Sequence, residues 1–331
     1  MTPTLKNGEV LRGRYKVREQ IGQGGAGSIY LADDLRLDGR VCALKEVDYD
    51  RSLTDEIREE ARQQFMREAT ILARLDHPNL PKVSDFFSND TRDYLVMDYI
   101  PGDDLRTMML TARREKRFLS ERDVLDWTRQ LADALSYLHN LQPAIVHRDI
   151  KPSNLKITPT GLLKLVDFGL VKILAPEEVT ITVIQGQGTA LYTPIEQYGT
   201  DETHTDGRSD IYSFGATLYH LLTNEPPADA RKRFLHPESL VPPRQINPAI
   251  SPRTEKAILW AMALHPDERP ASIEVFRDYI FGEHEISTRA RKVQSAFDVP
   301  RLDIFGQQTD RFLIWTSAGL LLLSLIATLT H

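Results

Sequence analysis

The sequence predicts an α+β fold: a small strand-rich lobe, a larger and mainly helical lobe, and one apolar helix at the C-terminus. Three observations predict it. Tyr15 to about Tyr99 is dominated by β-prone runs, the apolar spacing turns helical after Pro101-Gly102, and residues 312–330 carry no charged side chain. The 331 residues are 41% hydrophobic and 27% charged, which excludes collagen-like and fully disordered chains. The net charge of −6 argues against a broad basic face for nucleic acid, so no nucleic-acid partner is expected. Cys42 is the one cysteine, which rules out an internal disulfide or a cysteine-rich zinc site and suits a reducing compartment.

Residues 1–13 read as an N-terminal extension without the apolar core of a signal peptide. Residues 14–99 form the small lobe. YKVREQIG and SIYLADD flank a glycine-rich turn, RVCALKEVD follows a second turn, and VSDFFSND and DYLVMDYI are two further strands. One helix, about Thr54 to Leu75, interrupts them, with Ile57, Ala61, Phe65 and Leu72 at helical spacing. Residues 103–281 form the large lobe. Ser120 caps a helix with Asp123 three residues on and an apolar stripe of Val124, Leu125, Thr128, Leu131, Leu135 and Leu138. Short strands surround IVHRDIKPSNLKIT and LLKLVDFG, and a loop runs from about Leu170 to Glu196. Another helix covers Asp210 to Leu222. Seven prolines make residues 225–252 mostly irregular, and helices fit 253–264 and 272–281. Residues 282–311 lose apolar periodicity and read as a juxtamembrane linker. The charge-free run at 312–330 is nineteen residues, roughly 28 Å of helix, close to the thickness of a bilayer's hydrocarbon core. It reads as a transmembrane helix, a single-pass C-terminal anchor. Arg311 just before it, and Arg289, Arg291 and Lys292 farther back, agree with a cytoplasmic placement of the two lobes.

Gly22, Gly24 and Gly27 make a G-x-G-x-x-G motif. In a dinucleotide-binding unit a helix follows these glycines, but here Ser28, Ile29 and Tyr30 are β-prone, so a glycine-rich hairpin is the better reading. Bare glycines let backbone N–H groups approach phosphate oxygens. Lys45 lies in the apolar strand Cys42-Ala43-Leu44-Lys45. Glu68 sits on the apolar line of the following helix, and a carboxylate there needs a partner, for which Lys45 is the natural candidate.

His147-Arg148-Asp149-Ile150-Lys151-Pro152-Ser153-Asn154 is followed, eighteen residues after Asp149, by Asp167-Phe168-Gly169. With the glycine motif, CALK, Glu68, GTALYTPIE, the Asp210 helix and DERP, in this order, the chain resembles the eukaryotic-type protein kinases over about residues 14–281. The resemblance implies the bilobal kinase fold and an ATP- and magnesium-dependent (manganese possible) phosphoryl transfer. It implies that the Gly22–Gly27 loop covers ATP, with Ile21 beside it. Lys45 then binds the α- and β-phosphates and pairs with Glu68, Lys151 contacts the γ-phosphate, Asp149 accepts the substrate hydroxyl proton, and Asn154 and Asp167 hold the magnesium ions. Ile29, Ala43 and Lys156 match the residues that sandwich adenine, Met97 the back of that pocket, and Asp98 to Ile100 the hinge.

Lys151 is similar to its counterpart in Ser/Thr kinases, so proteins with Ser or Thr acceptors are the implied substrates. Gly188-Thr189 resembles the loop beside the acceptor, Thr189 reaching toward the catalytic Asp and Lys. Arg148 implies control by activation-loop phosphorylation, with Thr180 and Thr182 as candidate phosphosites and a homodimer for trans-autophosphorylation. His147 and Arg148, Glu196 with its partner Arg269, and Asp210 behind the catalytic loop take structural roles. The chain departs from the family at Thr193-Pro194-Ile195-Glu196, where Ala-Pro-Glu is usual, at Ala190-Leu191 in place of Pro-Gly, and at Lys156, where an apolar residue is usual. It ends at His331, so no external sensor domain is expected. The alternatives are a membrane-anchored pseudokinase scaffold that binds nucleotide and partners without turnover, and a small-molecule phosphotransferase.

Overall fold

The computed structural model describes residues 5–24, 27–47, 54–89, 92–167, 172–173, 190–198 and 205–282. Six strands make one sheet: β1 (Val10–Leu11), β2 (Tyr15–Gly24), β3 (Gly27–Asp34), β4 (Val41–Val47), β5 (Val83–Asn89) and β6 (Arg92–Asp98). The spatial order is β1-β2-β3-β4-β6-β5, and every neighbouring pair is antiparallel. The expected extension therefore contributes to the sheet, since Val10 pairs with Lys16 and Leu11 with Tyr15.

Side-chain alternation in β4 decides what each face of the sheet does. Cys42 and Leu44 turn to a small core with Tyr15, Tyr30, Phe87, Tyr94 and Val96. Ala43 turns the other way, onto the core shared with the helical lobe, where Leu95 and Met97 also lie. The next residue on that second face is Lys45.

α1 spans Asp55–Leu72, shorter than expected at its C-terminal end, with Thr54 Oγ1 accepting from the Ile57 amide at 3.4 Å. Its packing corrects the predicted stripe. Ala69 and Leu72 are buried, whereas Ile57 remains 41% exposed, so only the C-terminal half of α1 sits on the core.

The helical lobe contains α2 (Leu105–Arg114), α3 (Glu121–His139), α4 (Gly207–Thr223), α5 (Ala230–Leu235), α6 (Pro243–Ile246), α7 (Pro252–Ala261) and α8 (Ile273–Phe281). Ser120 caps α3 as expected, accepting from the Asp123 amide at 3.1 Å. α4 is buried at every position from Ser209 to Tyr219, which makes it the central post of the lobe. Gly215 lets α7 come close: a β-carbon there would meet the Ala261 side chain at 2.8 Å. The region expected to be irregular holds α5, α6 and a 3-10 turn at Pro237–Ser239. Pro237 and Pro243 open these short helices, where proline's missing N–H costs nothing.

Two short antiparallel pairs complete the architecture: β7 (Ile145–Val146) with β10 (Lys172–Ile173), and β8 (Leu155–Ile157) with β9 (Leu163–Leu165). Among the described residues no helix is long and apolar enough to cross a membrane. The span expected at 312–330 lies outside the described residues, as do all but the first residue of the expected linker and Thr180, Thr182 and Thr189.

Candidate active site

The glycine hairpin joins β2 to β3, with Gly24 opposite Gly27 at its closed end. Gly27 has φ +138°, and a β-carbon on it would lie 1.9 Å from the Glu46 carbonyl oxygen, so backbone approach alone requires glycine there. Gly22 is different: its added β-carbon would make only ordinary 3.6 Å contacts with Ile29, so the fold itself does not demand a glycine. Ile21, at the mouth, is 42% exposed.

Cross-strand register gathers the residues expected around adenine. Ile29 lies opposite Lys45 in β3 and β4, Ala43 opposite Met97, and Cys42 opposite Asp98 at the edge of the hinge. Ala43, Met97 and Ile100 are all less than a tenth exposed. Lys156, in β8, carries its ammonium 5.7 Å from the Tyr99 ring centroid, which brings this side chain to the hinge.

Lys45 is 6% exposed, and a buried ammonium requires a counter-charge. The structure supplies it from Asp167, which forms an ion pair with Lys45. The expected Lys45–Glu68 pair is therefore not the one formed; Glu68 instead accepts a hydrogen bond from Gln64 Nε2 at 2.8 Å. Of the two carboxylates, Asp167 and not Glu68 takes the ammonium here. Burial works against ionisation of Asp167, but the Lys45 charge and hydrogen bond, with His147 and Lys151 adding, hold its carboxyl below the usual range. Asp167 and Arg148 both adopt left-handed backbone, at φ 71° and 67°. Such strain persists only where neighbours over-determine it.

For Arg148 the constraint comes from Asp210. This fully buried carboxylate, in the first turn of α4, accepts from the amides of His147 at 2.8 Å and Arg148 at 2.7 Å. His139, from the end of α3, contacts it at 2.8 Å, a partner that the sequence motifs do not single out. Burial opposes ionisation of Asp210, while the His139 hydrogen bond and charge, then His147, lower its pKa overall. His147 is fully buried, which pushes its pKa down, while the Asp210 carboxylate works in the opposite direction.

Asp149, next in the loop, is 6% exposed. Its Oδ2 accepts from Lys151 Nζ at 2.8 Å and Asn154 Nδ2 at 2.9 Å; Asn154 also donates to the Asp149 carbonyl at 2.9 Å. Asp149 Oδ1 is buried and has no hydrogen-bond partner among the described residues. One carboxylate oxygen is thus clamped while the other is held ready to accept. Among the described residues Asn154 Oδ1 has only a 3.5 Å contact from Ser153 Oγ, leaving it available as a hard oxygen ligand.

Farther along, Glu196 and Arg269 meet as expected, in a two-pronged ion pair at 2.6 and 2.9 Å. The Arg269 side chain is wholly buried and stacks on Tyr212 with 5.0 Å to the ring centroid. The unusual closing sequence keeps this pair because the chain turns in a 3-10 helix over Ile195–Tyr198, which presents Glu196 to Arg269.

This arrangement is that of a protein kinase domain, and the family model of that description matches residues 15–279, so the chain belongs to that family. A probable serine/threonine-protein kinase of Streptomyces coelicolor is 35% identical, over 81% of this chain and 39% of its own. Serine/threonine-protein kinase PknB of Mycolicibacterium smegmatis is 32% identical over 83% and 44%, and PrkC of Bacillus subtilis 32% over 89% and 42%. The chain thus spans about two fifths of the length of these curated relatives. Among solved structures, the kinase domain of PknI from M. tuberculosis aligns at 28% identity with a TM-score of 0.64, covering 85% of this chain and 99% of that one.

Proposed function

We propose that this chain is an ATP-dependent Ser/Thr protein kinase, carrying its catalytic lobes (residues 14–281) on the cytoplasmic side of a membrane through a C-terminal span at 312–330. The observation that carries the catalytic reading is Asp149, with one oxygen held by Lys151 and Asn154 and the other buried and unpartnered among the described residues. Relatives named as Ser/Thr protein kinases over most of the chain support the same reading.

In this reading Asp149 Oδ1 accepts the proton of the acceptor hydroxyl as the hydroxyl oxygen bonds to the γ-phosphorus and the bond to the β,γ-bridging oxygen breaks, with ADP as the leaving group. Lys151 and Asn154 fix the carboxylate so that no reorganisation is needed at that moment. Asp167 and Asn154 Oδ1 are the hard oxygens suited to magnesium, which takes one or two protein oxygens together with the nucleotide phosphates. The bound magnesium supplies neutralisation of the phosphate charge. Lys45 releases Asp167 to that role when ATP phosphates or Glu68 take its ammonium. The Gly22 backbone approaches the phosphates, and Ala43, Met97, Ile29 and the Lys156 stem enclose the purine. The resemblance assigns Thr189 to the acceptor side, and phosphorylation at Thr180 or Thr182, in trans within a homodimer, supplies a dianion for Arg148 to pair with.

Incubation with labelled ATP, magnesium or manganese and a protein acceptor tests the activity. Transfer is expected from the wild type and lost in Lys45→Met and Asp149→Ala with the fold intact. Absence of any transfer with either metal overturns it. Mapping phosphosites in wild type against Asp149→Ala tests Thr180 and Thr182. Membrane fractionation of the full chain, against a version ending at Gly282, tests the anchor.

A further inference from the structure

Side-chain alternation in β4 sends Cys42 and Leu44 into the small core of the sheet, and the next residue on that face is Glu46. Glu46 is 5% exposed, and a carboxylate buried on that face must be paired. Tyr94, opposite it in β6, donates to Glu46 Oε1 at 3.1 Å, and Arg92 forms an ion pair with the same oxygen. Tyr30 of β3 donates to Oε2 at 3.3 Å. The Tyr30 hydroxyl itself accepts from the Leu5 amide at 3.3 Å, which turns its proton toward Glu46. Both tyrosines are buried.

Stability alone does not account for this cluster, because a buried ion pair contributes little beside apolar residues of similar volume. What distinguishes Glu46 is the backbone packed on it. Among the described residues the β3–β4 ladder ends at Ile29 opposite Lys45, so Ser28 and Gly27 of the glycine hairpin run past the last paired position. Gly27 nevertheless rests on the Glu46 peptide: a β-carbon on Gly27 would lie 1.9 Å from the Glu46 carbonyl oxygen and 2.9 Å from its carbonyl carbon. No side chain separates the two backbones. A shift of the Glu46 peptide therefore passes directly to the hairpin, and the Glu46 side chain ties that peptide to both β3 and β6.

Resting on the kinase reading above, we propose that Glu46 is a positioning residue for the nucleotide phosphates: its carboxylate, held by Tyr30, Tyr94 and Arg92, fixes the peptide on which Gly27 rests and so sets the glycine hairpin over the phosphates. Glu46 faces away from the nucleotide and touches no part of it. Lys45, the residue before it, faces the cleft and shares its backbone, so both phosphate-binding elements are set from one point. The adenine side is set elsewhere, by Ala43 farther back in β4 and Met97 opposite it in β6.

The test is equilibrium binding of ATP with magnesium, of ADP with magnesium and of adenosine to the full chain, by calorimetry, in wild type and three variants. Glu46→Gln keeps the shape and removes the charge. Glu46→Leu with Arg92→Leu removes both charges, so that none is stranded if the first variant does not fold. Tyr30→Phe keeps the ring and removes one donor. ATP and ADP are expected to bind about tenfold more weakly in the first two variants and about threefold more weakly in Tyr30→Phe, as for the loss of a hydrogen bond to a charged group, while adenosine changes by less than about twofold. In turnover the KM for ATP rises by the same factor and the KM for the acceptor does not move.

Val96→Ala, at a fully buried position of the same core, controls for general loosening of the lobe. It lowers Tm and leaves the ratio of ATP to adenosine affinity at its wild-type value. An unchanged ratio in the variants that fold overturns the proposal, and so does a ratio that Val96→Ala shifts equally. Equal weakening of ATP and adenosine also overturns it, because the cluster would then serve the stability of the lobe and not the phosphates. If the wild type binds none of the three and transfers no phosphate, the kinase reading fails and this proposal falls with it.

Discussion

Replacing Arg269 by Met tests the claim that the Glu196–Arg269 pair is a structural bolt. Arg269 donates to Glu196 Oε1 and Oε2 at 2.6 and 2.9 Å, and to the carbonyls of Ala263, Leu264 and Arg208 at 2.8, 2.9 and 3.1 Å. Its side chain is 0% exposed and that of Glu196 7%. Methionine fills much of the volume but strands a buried carboxylate whose other partner is Ser209 Oγ at 2.8 Å. Breaking a buried pair from one side costs about 3–5 kcal/mol, where an exposed pair is worth at most about 1. For a domain this size each kcal/mol lowers Tm by about 2–4 °C, so a fall on the order of 10 °C is expected. Urea unfolding and thermal melts measure it. Arg269→Lys restores charge without the planar fork and falls between. Removing both charges, with Glu196→Leu added to Arg269→Met, recovers much of the loss because no charge remains stranded. A loss below about 1 kcal/mol for Arg269→Met would refute the reasoning, since it would mean that Glu196 reaches water.

The two glycines of the hairpin behave differently. Gly27→Ala collides with the Glu46 carbonyl at a positive φ and lowers Tm, with a strain cost of about 1–3 kcal/mol. Gly22→Ala meets only ordinary contacts, leaves Tm near wild type and raises KM for ATP. The third prediction concerns acid stability. His220 is depressed in the fold from 6.5 to about 4, so the unfolded chain binds more protons in that window. The stability it contributes above about pH 6.5 is lost as pH falls through about 4. Melts between pH 7 and 4 fall less steeply in His220→Asn than in wild type. Finally, Ser120→Ala removes the acceptor for the Asp123 amide and costs about 1 kcal/mol in urea unfolding, with no change in KM for ATP.

What can be read from the sequence follows the distance over which each feature is encoded. The Ser120 cap and the α3 stripe are local, so Val124, Thr128, Leu131, Leu135 and Leu138 are buried as their spacing says. Asp210 and the Glu196–Arg269 pair follow from ordered motifs and are found as expected. α2 is absent from the sequence expectations, although Asp104 as cap and Leu105, Met109 and Ala112 on one face are a readable signal. The partner of Lys45 is not readable. It depends on where a whole helix lies against the sheet, and the 41% exposure of Ile57 shows how little of α1 is pinned by its apolar residues. Arg62 adds a polar tether, from Nε to Ser88 Oγ at 3.1 Å and to Asp93 at 3.4 Å, which no periodicity announces. His139 likewise meets Asp210 only through the packing of α3 on α4.

The Asp210 carboxylate also makes the C-lobe core a lever on chemistry. It grips the loop amides from the first turn of a helix whose position is set farther along, where Gly215 admits Ala261. A methyl group added at Gly215 would tilt that post, and the displacement would emerge at Asp149. A reaction that runs through Asp149 would therefore depend on a contact that no substrate touches.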